Sequence, residues 1–291
     1  MKLLKRALFI LCAALLLVGC SGKSQAEEEK KVQAEAQKKA EEEQAKKEAE
    51  EKAKKEQEEK EALEKQKTQE ALEKAKADEA KKRPQTIVLD PGHSAVVAEG
   101  TEPLGPGSNE YKAADASGTS GISSGVPEYE LTLNISMQLK EELEKRGYTV
   151  LLTRESNDVP VSCIQRAEVA NNAQADAYVR IHANGSEDQS AQGAMTICTT
   201  PQSPYVPEMY DASRQLSDCI INKLCEAAGC ENDSVWETDS MSGSNWSQVP
   251  VTIVEMGYMT NPQEDMLMQT PEYQAKIVQG IANGIDAYLG Y

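Results

Sequence analysis

Two histidines are all that the 291 residues contain, His93 and His182. Any chemistry that depends on imidazole has to use one or both. None of the seven cysteines stands in a C-x-x-C pair, so thiolate zinc ligation lacks its usual spacing. Basic residues are scarce in the C-terminal part. Residues 84–291 hold 10 Lys and Arg against 29 Asp and Glu, a net of −19, whereas residues 1–83 hold 21 against 19, a net of +2, and the two sum to the chain's −17. Nucleic-acid binding runs on neutralising phosphates with Lys and Arg, so nucleic acid is excluded as a partner of the acidic part, and anionic polymers or lipid find no charge attraction there. The acidity is read as a solubilising surface. No apolar run is long enough for a membrane-spanning helix: residues 7–19 (ALFILCAALLLVG) make 13, short of the ~20 required.

That run follows a basic n-region, MKLLKR, and ends in LVGC, the layout of a targeting segment. The ending resembles the lipobox of bacterial lipoproteins. The resemblance implies a signal peptide over residues 1–19, lipid on Cys20 with a short linker to residue 25, and an extracytoplasmic protein anchored to the membrane by acyl chains. Cys163, Cys198, Cys219, Cys225 and Cys230 then remain, an odd number, so at least one is free or pairs between molecules. Mostly buried, reduced cysteines are the expectation.

Residues 26–83 contain no Gly and no Pro and consist almost wholly of Glu, Lys, Ala and Gln. Glu50 with Lys54 and Glu56 with Lys60 have the i, i+4 spacing that supports an exposed helix. Val32, Leu63 and Leu72 are the only large aliphatic residues and do not fall at heptad spacing, too sparse a set for a coiled-coil seam. The pattern predicts a solvated helical stalk, roughly 87 Å long at 1.5 Å per residue, closed by Pro84.

From residue 84 strands alternate with helices. Apolar runs at 85–90, 148–154, 176–184, 193–200 and 250–258 read as strands. Residues 128–147, 162–174, 213–229 and 271–290 read as helices, the first with apolar residues at 131, 135, 139 and 143 and Gly147 as its stop. Such alternation predicts an α/β domain over 84–291, with a largely parallel or mixed sheet flanked by helices. Ligands of open α/β sheets bind at the carboxyl ends of the strands. His93 follows the first strand, His182 ends the third, and Glu255 lies at the end of VTIVE. Imidazole is the commonest protein ligand of zinc, and a catalytic zinc takes three protein ligands. Two histidines therefore need a third ligand, and a base is needed as well. Glu128, Glu130 and Glu255 are the candidates by position.

The motifs VLDPGHS, PEYELTLN, LLTRESND, QRAEVAN, RIHAN and VEMGYMTN, in that order, resemble the zinc-dependent N-acetylmuramoyl-L-alanine amidases of the Amidase_3 family, which act on peptidoglycan. The resemblance runs from about residue 85 to the C-terminus. It implies zinc on His93, Glu128 and His182 and Glu255 as the catalytic base, and it places Arg166 and Asn184 at positions that recur in the family, as substrate contacts or as braces of the ligand loops. The bond implied is the amide between N-acetylmuramic acid and L-alanine. Glu128 is preferred to Glu130 because it lies three residues before Leu131, on the N-terminal extension of the apolar stripe. Two departures stand out. Ser94 and Ala95 replace the usual glycines after DPGH, and residues 95–127 form a longer connection than usual, expected to shape or cover the cleft. The alternatives are a peptidoglycan-binding lipoprotein without turnover and a zinc peptidase or deacetylase. Oligomeric state is left open.

Overall fold

A computed structural model describes residues 24–80 and 83–291. Residues 1–19 and Cys20, read as signal peptide and lipid site, lie outside the described residues. The chain divides into two compact units, one ending at Ala75 and the other running Lys76–Tyr291. Helix α1 (Ser24–Ala80) is unbroken over 57 residues. Its side chains from residue 30 to residue 70 are all exposed, including Val32 and Leu63. Ion pairs at i, i+4 link Glu43 to Lys47, Glu51 to Lys55, Lys52 to Glu56 and Lys54 to Glu58. Each contributes a few tenths of a kcal/mol to an isolated helix. No described helix is long and apolar enough to cross a membrane.

The second unit is a three-layer α/β domain. Its sheet is built from β1 (Thr86–Pro91), β4 (Thr149–Leu152), β5 (Ala177–Asn184), β6 (Ala194–Cys198), β7 (Asn232–Glu237) and β8 (Val251–Tyr258), in the order β4-β1-β5-β8-β6-β7. All neighbours are parallel except β6 and β8, so the sheet is mixed. Helices α2 (Glu128–Lys145), α4 (Tyr210–Ala228) and α7 (Pro271–Leu289) cover one face, and α3 (Cys163–Asn172) and the short α5 (Ser242–Asn245) cover the other. Successive residues of a strand point to opposite faces. Accordingly Ile87 and Leu89 join Leu131, Ile135, Leu139 and Leu143 of α2 in one core, while Val88 joins Ala167 and Ala170 of α3 in the other. The 131/135/139/143 stripe is thus the buried face of α2.

Besides the short α5 and the one-turn helix Pro207–Met209, three features were not anticipated. Residues 95–127, read from the sequence only as a long connection, carry structure of their own, an antiparallel hairpin of β2 (Thr101–Pro103) and β3 (Tyr111–Ala113). Its ends are tied into the domain. Glu102 accepts from the Ser162 hydroxyl and from Ile164 N (3.1 Å), at the N-terminus of α3. A carboxylate is favoured at that position by the exposed N–H groups and the helix dipole. Asp265 accepts from Ser123 N and Ser124 N, both at 2.7 Å. Strand β7 is an exposed edge strand whose polar sequence NDSVWE lacks an apolar run. The third is the helix α6 (Pro262–Met268), capped by Asn261, whose side chain accepts from Gln263 N and Glu264 N.

Candidate metal centre and active site

The carboxyl ends of β1, β5 and β8 bring the expected residues together. His93 follows β1. His182 and Glu255 are register partners on the parallel strands β5 and β8. Glu128 is the first residue of α2 and is buried, whereas Glu130 is exposed. One ligand atom from each of His93, Glu128 and His182 lies within 4.8 Å of the others. His93 Nε2 is 3.2 Å from Glu128 Oε2, and His182 Nδ1 is 3.0 Å from Glu128 Oε1.

The surrounding chain fixes how these groups point. His93 Nδ1 donates to Ala116 O at 2.7 Å. A carbonyl can only accept, so in the neutral ring Nε2 carries the lone pair and faces the cluster. The two oxygens of Glu128 accept backbone N–H bonds from Thr119 (3.0 Å) and Ala183 (3.1 Å). This leaves a lone pair of His93 opposite a carboxylate oxygen, and His182 Nε2 is buried with no partner. The cluster therefore has more acceptors than donors, and a cation would resolve that excess. The donor set of two imidazoles and one carboxylate suits zinc, with room for a further ligand.

Close backbone approach is part of the design. A Cβ on Gly92 would sit 2.4 Å from the His182 ring. At Gly118 the backbone has φ +75°, and a Cβ would meet Glu128 Oε2 at 2.6 Å, so conformation and space both require glycine there. His93 itself has φ +59°, a left-handed conformation that is uncommon outside glycine.

A buried ionic network holds His93 in that conformation. Arg166 donates to Asp90 Oδ1 (2.8 Å), Pro91 O (2.7 Å) and His93 O (2.9 Å). Arg154 donates to Pro91 O (3.0 Å) and Gly92 O (2.9 Å). Arg180 Nε donates to Asp90 Oδ2 at 2.8 Å. Arg166, expected as a substrate contact, is 1 % exposed, and each of its nitrogens is engaged with the chain. It braces the His93 loop through the His93 carbonyl and also lines the smaller of the two cavities at the cluster. Asn184 ends β5, where its Oδ1 accepts from Gly185 N at 2.8 Å, and it stands at the rim of a cavity.

Two cavities meet at the cluster. One, of about 320 Å³, is lined by residues including Lys112, Asp115, Arg180 and Ser242. The other, of about 510 Å³, is lined by Thr119, Asn184, Ser186 and Thr260 among others. His93, His182 and Glu255 border both. Lys112 and Asp115 belong to the 95–127 segment, so that segment walls one side of the cleft.

Burial opposes ionisation throughout the site. It works against the charge of Glu128, yet the two imidazoles hold that carboxyl well below the usual range. Burial also disfavours the His93 imidazolium, but Glu128 outweighs it and the pKa rises. His182 is lowered, chiefly by burial. Glu255 makes no ion pair, and the charge of Arg180 opposes its shift only in part. Burial, reinforced by the charge of Glu128, pushes it up to about 8, and its Oε2 is buried without a hydrogen bond. A free carboxylate with a raised pKa beside a possible ligand group is the mark of a general base.

Sequence reasoning missed Asp90, Arg154 and Arg180. One signal was available: Arg180 interrupts the apolar run AYVRIHAN, and a charge inside a buried strand requires a buried partner.

An α/β domain with a His–Glu–His cluster and an unpaired carboxylate at its strand ends has the equipment of a metal-assisted hydrolase. Comparison with known proteins narrows this class. Residues 87–287 match Amidase_3, described as N-acetylmuramoyl-L-alanine amidase, and the chain belongs to this family of peptidoglycan hydrolases. It is 27% identical over 210 residues to N-acetylmuramoyl-L-alanine amidase Rv3717 of Mycobacterium tuberculosis, covering 70% of this chain and 86% of that protein. It is 30% identical over 205 residues to the probable cell wall amidase LytH of Staphylococcus saprophyticus, covering 70% of this chain and 58% of that longer protein. The crystal structure of the amidase Ami1 from Mycobacterium smegmatis superposes with a TM-score of 0.64 at 26% identity, over 71% of this chain and 97% of that one.

Proposed function

We propose that the domain hydrolyses the amide bond between N-acetylmuramic acid and L-alanine in peptidoglycan, with zinc held by His93, Glu128 and His182 and with Glu255 as general base. The observation that carries this reading is the convergence of three ligand atoms within 4.8 Å beside the unpartnered oxygen of Glu255. When bound, zinc supplies Lewis acidity that polarises the scissile carbonyl and lowers the pKa of water toward about 7. Glu255 accepts the proton released by the attacking water and returns it to the departing amine of L-alanine. Glu128, fixed by Thr119 N and Ala183 N, holds the two imidazoles in register. Arg166 acts through the His93 carbonyl as a positioning residue. Asn184, on the wall of the larger cavity, is placed to hydrogen-bond a glycan or peptide group.

Metal content and activity test this together. The purified chain is expected to hold about one zinc. Chelation should abolish muropeptide release, and Zn²⁺ should restore it. His182→Ala should lose both metal and turnover. Full zinc occupancy in His182→Ala, measured by elemental mass spectrometry, contradicts the ligand assignment.

A further inference from the structure

The five cysteines of the domain are reduced, but two of them meet. Cys225 lies in the last turn of α4. Gly229 caps that helix in a left-handed conformation, φ +73°, and turns the chain back so that Cys230 Sγ comes to 3.3 Å from Cys225 Sγ. Both thiols are half-buried and pack against the edge of the larger core. Among the described residues no other pair of thiols comes within hydrogen-bonding range. Neither belongs to a group of three metal-ligating side chains, so a metal does not explain the pairing. The next residue, Glu231, accepts from Ala194 N at 2.9 Å, at the start of β6, the strand beside Glu255.

We propose that Cys225 and Cys230 form an intrachain disulfide when the protein meets an oxidising thiol–disulfide couple, clipping the end of α4 to the entry of β7. The extracytoplasmic placement expected from residues 1–20 would expose the chain to such couples. The sulfurs need to close from 3.3 Å to about 2.05 Å, a change that side-chain rotation at a helix end can supply. The oxidant is a disulfide, either a small molecule or a protein. The Cys230 thiolate attacks one of its sulfurs, its S–S bond breaks, and one thiolate leaves. Cys225 loses its proton and attacks Cys230 Sγ, expelling the second thiolate. Two cysteine thiols are oxidised, and the oxidant is reduced to two thiols that take up the two protons.

The test equilibrates the full chain in mixtures of oxidised and reduced glutathione, quenches with acid, alkylates the remaining thiols and maps them by mass spectrometry. Cys225 and Cys230 are expected to lose reactivity together, giving a linked species two hydrogens lighter, while Cys163, Cys198 and Cys219 stay alkylated. Half-oxidation of the pair should need at least about tenfold less oxidised glutathione than half-modification of Cys230 in Cys225→Ser, because the partner thiol acts at high effective concentration. In that variant Cys230 should instead carry glutathione. Free thiols, or independent glutathione adducts on Cys225 and Cys230 in the unsubstituted chain, would overturn the proposal. The measurement reads thiols alone, so it stands or falls apart from amidase activity.

Discussion

Glu255→Gln is expected to keep the fold and the zinc and to lose turnover by a factor on the order of 10² to 10⁴, the usual weight of general base catalysis. Three other residues form the ligand group, so metal content should not change. Peptidoglycan binding should also persist, because it needs no proton transfer. The same variant carries a second readout in the metal-free protein. Glu255 is pushed from 4.5 up to about 8. A raised folded-state pKa stabilises the neutral carboxyl, so its contribution is complete below the unfolded value and is lost as pH rises through about 8. Between about pH 4.5 and pH 8 metal-free wild type should therefore lose more stability than the variant, because glutamine is always neutral. At pH 8 the variant should be the more stable by on the order of a few kcal/mol, with the gap closing near pH 4. Turnover that falls only in proportion to stability would assign Glu255 a structural role.

Asp90→Ala is expected to be the most destabilising single change in the domain. Asp90 is fully buried and accepts from Thr153, Arg166, Tyr178 and Arg180. Its removal leaves the buried Arg180 guanidinium without its carboxylate and Arg166 with only the more distant Asp115, 3.8 Å away, a loss of about 3–5 kcal/mol. Domains of this kind have only about 5–15 kcal/mol in total. The change also acts on the site, because Arg166 ties Asp90 to the His93 carbonyl. Denaturant unfolding measures the loss, and zinc content measures the displacement of His93. A shift under about 1 kcal/mol would show that the arginines find other partners.

The parts legible in the sequence were those with local signals. The helical period of α2 and the apolar runs of β1, β5 and β8 located the strand ends, and the scarcity of histidine drew attention to them. The choice of Glu128 over Glu130 followed from which face of one helix is apolar. The bracing network was not legible, because Asp90 and Arg180 are 90 positions apart and meet only when β1 pairs with β5. Strand β7 was missed because an edge strand facing solvent needs no apolar alternation. The β2–β3 hairpin was missed because each strand is three residues long and is held largely by side chains outside it, such as Trp246 Nε1 donating to Pro103 O at 2.9 Å.

The identity of the bond cut is the central claim, and one measurement addresses it directly. Intact peptidoglycan is digested with the purified, zinc-loaded chain, and the new ends are identified by mass spectrometry. The expected products are stem peptides with a free L-alanine amine and glycan strands whose N-acetylmuramic acid retains its lactyl carboxylate. New reducing sugar ends, or new amines at other peptide bonds with L-alanine still joined to the glycan, would contradict the assignment.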